Sequence, residues 1–206
     1  MTALDLITSR VKRSPRGTIF FTDSFPTVDE KYAANVLSSL VNAGLLVRIA
    51  QGIYAKPTPT RFGPLLPSDQ EIIKAIARRD KARILPTGVT VLNWLHYSTQ
   101  VPMNMEFLTT GTARIIKLGD RTIKLRKSAP RNFAYRGEFM PMLVLALRAI
   151  GKENMTDEHI GITRQWLKEK PEEKTWREDI NLAPAWIKKM VIALKESIYN
   201  EQVDKQ

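Results

Sequence analysis

Ala33, Val36, Leu37, Leu40 and Val41 recur at the i, i+3, i+4, i+7 and i+8 spacing of one helix face. The pattern predicts a long helix that Thr27 can cap and that stops at Gly44, where glycine takes the left-handed conformation without penalty. A second pattern follows at once. Leu45, Leu46, Val47 and Arg48 lead to a turn near Gln51-Gly52, and Ile53, Tyr54 and Ala55 return before Pro57, which predicts a two-stranded hairpin. Upstream, Leu4, Ile7 and Val11 mark a short amphipathic helix broken by Ser14-Pro15-Arg16-Gly17. Thr18 to Phe21 reads as a short strand, and Asp23, Ser24 and Pro26 leave room for only a brief second helix or turn. Helix, strand, short helix, long helix and hairpin is the order of a winged helix-turn-helix, which lays one helix in the DNA major groove with the hairpin tip beside it.

Pro57, Pro59, Gly63, Pro64 and Pro67 make a stiff, non-helical stretch, so a domain boundary is expected there, between a DNA-binding domain of residues 1–60 and a second domain of residues 67–206. In the second domain Ser68 caps a helix with Ile72, Ile73 and Ile76 facing inward. Arg83 to Leu85 is a short strand ending at Pro86, and Thr87 to Leu95 a second helix. Strands are expected over Met105–Thr109, Ala113–Leu118 and Arg121–Arg126, the last two joined by the turn signal Gly119-Asp120. The remainder reads as helices over Phe139–Ile150, Asp157–Lys168, around Thr175–Asp179, and Pro184–Asn200. The last carries an apolar stripe of Trp186, Ile187, Met190, Val191, Leu194 and Ile198. The fold class is therefore α+β: a winged helix followed by a mixed α/β domain with a short antiparallel sheet and several helices.

Charge sharpens this picture. The formal net charge is +11, which favours nucleic acid or an acidic partner. The excess lies in residues 1–64, with 8 basic and 4 acidic side chains, and in residues 65–136, with 13 and 5; residues 137–206 carry 11 and 12. The absence of cysteine removes disulfides and thiolate metal sites. The N-terminus lacks the apolar run of a signal peptide, and no run approaches the roughly 20 residues of a membrane span. A cytoplasmic protein without membrane contact is expected.

Opposite the apolar face of the long helix lie Lys31, Asn35, Ser38 and Asn42, flanked by Tyr32 and Ser39. Asn bonds adenine bidentately, Lys reaches guanine acceptors, and Ser serves bases or phosphate. A plain solvated helix face is the alternative. Asp29 and Glu30 are explained by the helix dipole. On the hairpin, Arg48, Gln51, Tyr54 and Lys56 lie at or near the tip and edges, where a wing touches phosphate or the minor groove. The N-terminal basic cluster Arg10, Lys12, Arg13 and Arg16 either holds flanking backbone or merely solubilises. A second basic set, Arg114, Lys117, Arg121, Lys124 and Arg126, continued by Lys127, Arg131 and Arg136, interleaves with apolar residues on the Gly119-Asp120 hairpin. It would add DNA contacts, grip RNA, face an acidic protein, or be a solvated sheet face.

Catalysis is not expected. His96 and His159 stand far apart without metal-ligand spacing, and Thr109-Thr110-Gly111-Thr112 lacks the lysine and second glycine of a phosphate loop. Glu169, Glu172 and Glu173 read as a surface run broken by Pro171, and the four tryptophans and the methionines Met103, Met105, Met140 and Met142 as core. No metal or cofactor is expected.

The run Leu37 to Tyr54, with its glycine, basic strand and Gly52-Ile53-Tyr54 ending, resembles the winged-helix segment of abortive-infection antitoxins of the AbiEi type. Leu85-Pro86-Thr87-Gly88, Ser98-Thr99-Gln100-Val101-Pro102, Leu108-Thr109-Thr110-Gly111 and Arg114-Ile115-Ile116 resemble related bacterial proteins linked to that family. The resemblance covers most of residues 1–136. It implies an antitoxin and autorepressor of a type IV toxin–antitoxin operon, whose winged helix binds repeats in its own promoter as double-stranded DNA. It also implies a second domain that counters a nucleotidyltransferase-like toxin, directly or through the toxin's substrate. A stand-alone regulator with a ligand-sensing or dimerising second domain, and an RNA-binding protein, are the alternatives from the residues alone.

Overall fold

The computed structural model of the chain describes residues 2–170 and 175–203. Two compact units emerge from its contacts. The first runs through Ala82 and takes in Ile115–Thr122; the second holds Arg83–Arg114 and the chain from Ile123 onward. The fold is mixed α and β, as the patterning predicts.

In the first unit, helix α1 (Ala3–Arg13) opens on a capping box in which Thr2 and Asp5 each accept the other's backbone N–H. Strand β1 (Ile19–Phe21) follows, and the brief second helix is a single 3₁₀ turn, Thr22–Ser24. Helix α2 (Glu30–Asn42) buries Ala33, Val36, Leu37 and Leu40 in one cluster with Ile7, Val11, Phe20, Phe25, Leu46 and Tyr54. Its cap is Asp29 rather than Thr27: the Asp29 carboxylate accepts the Tyr32 N–H at 2.9 Å and faces the positive end of the helix dipole. Gly44, at φ +72°, ends the helix. The N–H groups of Leu45 and Leu46 both turn back to the Leu40 carbonyl, so the following strand β2 begins at Val47, not Leu45, and runs to Ala50. Strand β3 (Ile53–Ala55) pairs antiparallel with β2 and with β1, giving the order β1-β3-β2. This is the element order that the patterning predicts, with the brief second helix reduced to one turn.

The Pro-rich stretch read as a linker is a small ribbon. Strands β4 (Thr58–Thr60) and β5 (Gly63–Leu65) pair antiparallel across the two-residue tip Arg61-Phe62. The Thr60 hydroxyl donates to the Gly63 carbonyl at 2.6 Å and accepts the Phe62 N–H at 3.2 Å. Gly63 supplies φ +111°, which residues with a Cβ rarely adopt. Pro59 lies opposite Pro64, so the pair without N–H groups falls between two pairs that have them. Helix α3 (Asp69–Asp80) follows, capped by Ser68 as the sequence predicts, in a capping box with Glu71, and with Ile72, Ile73 and Ile76 buried. It belongs to the first unit, because the prolines before it fold back as a ribbon instead of spacing two domains.

In the second unit, strand β6 (Ile84–Thr87) includes Pro86, which was expected to end it. Pro86 sits opposite Phe107, and β6 is an edge strand, where a missing N–H can face away from the neighbour. After helix α4 (Gly88–Trp94) come β7 (Asn104–Thr109), β8 (Arg114–Leu118) and β9 (Arg121–Lys127), in the sheet order β6-β7-β9-β8, with Ile115–Thr122 of β8 and β9 counted in the first unit. Helix α5 (Phe139–Ile150) buries Leu143, Val144, Ala146 and Leu147 and packs on α4 and β6. Helices α6 (Asp157–Glu169), α7 (Trp176–Asp179) and α8 (Ala185–Val203) complete the core. Ile187, Val191 and Ile198 of the predicted stripe are buried, with Trp186, Met190 and Leu194 packed around them. Trp94 meets Phe107 edge-on at 5.4 Å, and the Trp166 indole N–H donates to the Leu95 carbonyl. Met105 and Met140 are core, but Met103 is 52% exposed. Of the acidic run, Glu169 ends α6; Pro171, Glu172 and Glu173 lie outside the described residues. No helix among the described residues is long and apolar enough to cross a membrane.

Polar side chains are built into this core. The Tyr97 hydroxyl lies 2.7 Å from that of Thr163, and burial pushes its pKa up to about 12. Asp179, 1% exposed, accepts the backbone N–H groups of Arg136 at 2.8 Å and Gly137 at 2.7 Å. It thereby fixes the chain that enters α5. Asp179→Ala strands both donors and should cost about 2–3 kcal/mol in urea unfolding. Asp179→Asn keeps one acceptor and should cost less. Equal, near-zero losses for both would show that the carboxylate does not hold this turn.

Candidate nucleic-acid interface

The candidate interface starts from α2. Once Ala33, Val36, Leu37 and Leu40 face the core, the helical period puts Lys31, Tyr32, Asn35, Ser38, Ser39 and Asn42 outside, and all six are exposed. Two are partly committed. The Ser39 hydroxyl donates back to the Asn35 carbonyl at 3.0 Å, and the Ser38 hydroxyl lies 3.3 Å from the Tyr54 hydroxyl. Tyr54 is buried, 2% exposed, so it is a core residue with a polar end rather than a wing residue. The start of α2 is pinned by Thr22, whose hydroxyl donates to Glu30 at 2.6 Å. Gly52, at the wing turn, lies beside that same Thr22 side chain. The turn of the β2–β3 hairpin is thus placed near the first turn of α2, with Gln51 and Arg48 exposed on it.

The N-terminal basics divide. Arg10 donates to the Ser24 carbonyl at 2.9 Å and lies over the Phe25 ring at 5.2 Å, holding the 3₁₀ turn. Lys12, Arg13 and Arg16 are exposed at the end of α1. Lys56 departs from the wing position expected of it. Its ammonium donates to three carbonyls: Val11 at 3.0 Å, Lys12 at 2.6 Å and Ser14 at 2.7 Å. These belong to the end of α1, where carbonyls lack helical partners. Lys56 is a structural clamp, and its own backbone pairs with Gly17 and Thr18.

Acids meet part of the second basic set. Along β9, Ile123 and Leu125 are buried and Lys124 and Arg126 are exposed, the alternation that the sequence predicts. Both cations approach Glu106 at 3.4 Å. Arg121 falls on the other parity and meets Asp69 in the first turn of α3 at 2.6 Å, so it does not share their face. Arg114 donates to the Thr112 carbonyl at 3.3 Å. Lys117 is exposed on β8 beside Ile115, itself 63% exposed. The two acids that meet these cations, Asp69 and Glu106, are distant in sequence, so the run alone conceals them.

A cleft of about 720 Å³ in the first unit lies between the β1 region and α3, with Asp23 and Glu71 set against Lys74, Arg78 and Arg79 on its walls. Arg79 is already engaged by Asp80 at 2.8 Å and by the Phe21 ring at 4.4 Å. Among the described residues no group of three or more His, Asp or Glu could hold a metal ion. His96 sits just past α4 at φ +61°, stacked on Trp166, as a helix-end residue.

Two features escaped the residue patterns. From Lys31 to Ser68 the chain has no acidic residue, while it carries Lys31, Arg48, Lys56 and Arg61. That stretch includes nearly all of α2, the hairpin and the β4–β5 ribbon. The second feature is the ribbon tip, where Phe62 is 86% exposed and the Arg61 guanidinium lies 4.6 Å from its ring.

The chain matches the model of a family of unknown function, DUF6088, over residues 6–175, and belongs to that family. No curated protein matches it.

The clamp at Lys56 generates a direct test. Lys56→Met keeps the stem and removes the three donors. It should destabilise the chain by about 1–3 kcal/mol in denaturant titration, since the α1 carbonyls lose their partner in a partly buried setting. An unchanged midpoint would place Lys56 among the merely solvated cations.

Proposed function

We propose that this member of the DUF6088 family is a double-stranded-DNA-binding repressor that acts on its own promoter, with α2 as the reading helix. The observation that carries the proposal is the exposed, acid-free face of Lys31, Asn35, Ser38 and Asn42 on a helix whose other face is locked in the core. A duplex repels carboxylates everywhere along its backbone, so a segment without acids over 38 consecutive positions, Lys31 to Ser68, suits a polyanion. The amides and hydroxyl of the stripe suit base edges, and Arg48 with Lys12, Arg13 and Arg16 suits phosphate.

An antitoxin role against a nucleotidyltransferase-like toxin is the further part of this proposal, and its support is the resemblance of the quoted motifs. The Lys124–Arg126–Glu106 cluster and the Arg121–Asp69 pair weaken the hairpin as the toxin-directed surface. The regulatory reading therefore leans on the first unit.

Mobility-shift titration on the duplex upstream of the protein's own reading frame tests the assignment. Asn35→Ala should cost about 1–3 kcal/mol on the preferred site and relax its sequence preference. Arg48→Ala should weaken all duplexes alike and lower the salt slope by about one. Unchanged affinity and preference in Asn35→Ala would remove α2 as the reading helix.

A further inference from the structure

Among the described residues Phe62 is the most exposed of the large apolar side chains, at 86%. A phenylalanine so placed has no packing role, and its position is not left to chance. It occupies the two-residue tip of the β4–β5 ribbon, where the Thr60 hydroxyl accepts its N–H and closes the turn onto Gly63. The Arg61 guanidinium lies against its ring at 4.6 Å. The tip thus presents an apolar plate and a cation as one preformed element.

The root of the ribbon is equally fixed. Lys56, immediately before Pro57, is clamped to the Val11, Lys12 and Ser14 carbonyls, and its backbone pairs with Gly17 and Thr18. The ribbon therefore springs from the end of α1, where Lys12, Arg13 and Arg16 are exposed. Five residues of extended chain carry the tip about 16 Å from that anchor. Between Lys56 and Asp69 the only charged residue is Arg61.

An apolar wedge beside an arginine, on a projecting element without acids, has the chemistry of a minor-groove insertion. Arginine is drawn to the negative potential of the groove, and the apolar ring enters where a base step opens. We propose that the Arg61-Phe62 tip enters the minor groove of the bound duplex, with Phe62 wedged at a base step and Arg61 lying in the groove. The inference rests on the DNA-binding role proposed above and adds to it a second element, which bends or unstacks the duplex while α2 reads it. Flexible pyrimidine–purine steps such as TA are the favoured targets, because they unstack most readily.

The test uses the full chain and a 30-base-pair duplex from upstream of its own reading frame, with 2-aminopurine replacing adenine in turn at each TA step. Wild-type protein should raise the fluorescence at one step, reporting unstacking. Phe62→Ser should abolish that rise and weaken binding about tenfold, with the circular dichroism spectrum unchanged because the side chain is exposed. Phe62→Leu should restore part of the rise, since leucine also wedges. Arg61→Gln should lower the salt slope by about one. Wild-type binding without any fluorescence change, together with Phe62→Ser binding as tightly as wild type, would overturn the insertion while leaving the α2 reading intact. Failure of the wild type to bind any duplex would overturn both.

Discussion

One ammonium group organises the first unit. The three carbonyls at the end of α1 would otherwise be left without partners where the helix stops, and Lys56 Nζ takes all three. Lys56 also directly follows β3, ahead of β4, and its backbone is tied to Gly17 and Thr18 ahead of β1. A single position thus joins α1, the three-stranded sheet and the ribbon. Around it the apolar cluster of Ile7, Val11, Phe20, Phe25, Leu37, Leu46 and Tyr54 closes, and α2 has one orientation left to adopt. The outward stripe of α2 is a consequence of that closure, because its rotation is set by what the core requires of Ala33, Val36, Leu37 and Leu40.

The distribution of charge follows a different logic in different parts of the chain. Near the end of α1, and from Lys31 through the hairpin and the ribbon, the cations have no acid within the segment. On β9, Lys124 and Arg126 share Glu106, and Arg121 is met by Asp69. A positive net charge therefore says little by itself. What separates an interface from a solvated face is whether the fold brings acids to the cations, and in the Gly119-Asp120 hairpin it does. Exposed ion pairs of this kind contribute little to stability, but they reduce the local field that a polyanion would need.

Helix faces and caps were the legible part of the sequence. The 3.6-residue period of α2 and α8, the Ser68 cap and the Gly119-Asp120 turn are local signals, each complete within a few residues. Two of the misreadings share a cause, a partner far along the chain, and the others turn on local backbone geometry. Lys56 looks like a wing cation until the α1 carbonyls are brought to it. Tyr54 looks exposed until β3 becomes the central strand of its sheet. The prolines of residues 57–67 look like a linker because their composition forbids helix, yet two of them face each other in a ribbon whose turn is closed by Thr60 and Gly63. Asp29 displaced Thr27 as the cap of α2 by two positions, a shift that only the backbone geometry of the turn decides. The acid-free stretch was in plain view, but its meaning depends on the elements it covers sharing one unit.

Site selection from a pool of random 20-base-pair duplexes tests the central claim most directly, because it presupposes no operator sequence. Reading by α2 predicts that the full chain enriches one defined motif, and that methylation of major-groove guanine N7 within that motif blocks binding. A pool that remains random after repeated rounds, or an enriched motif indifferent to major-groove methylation, would contradict the account.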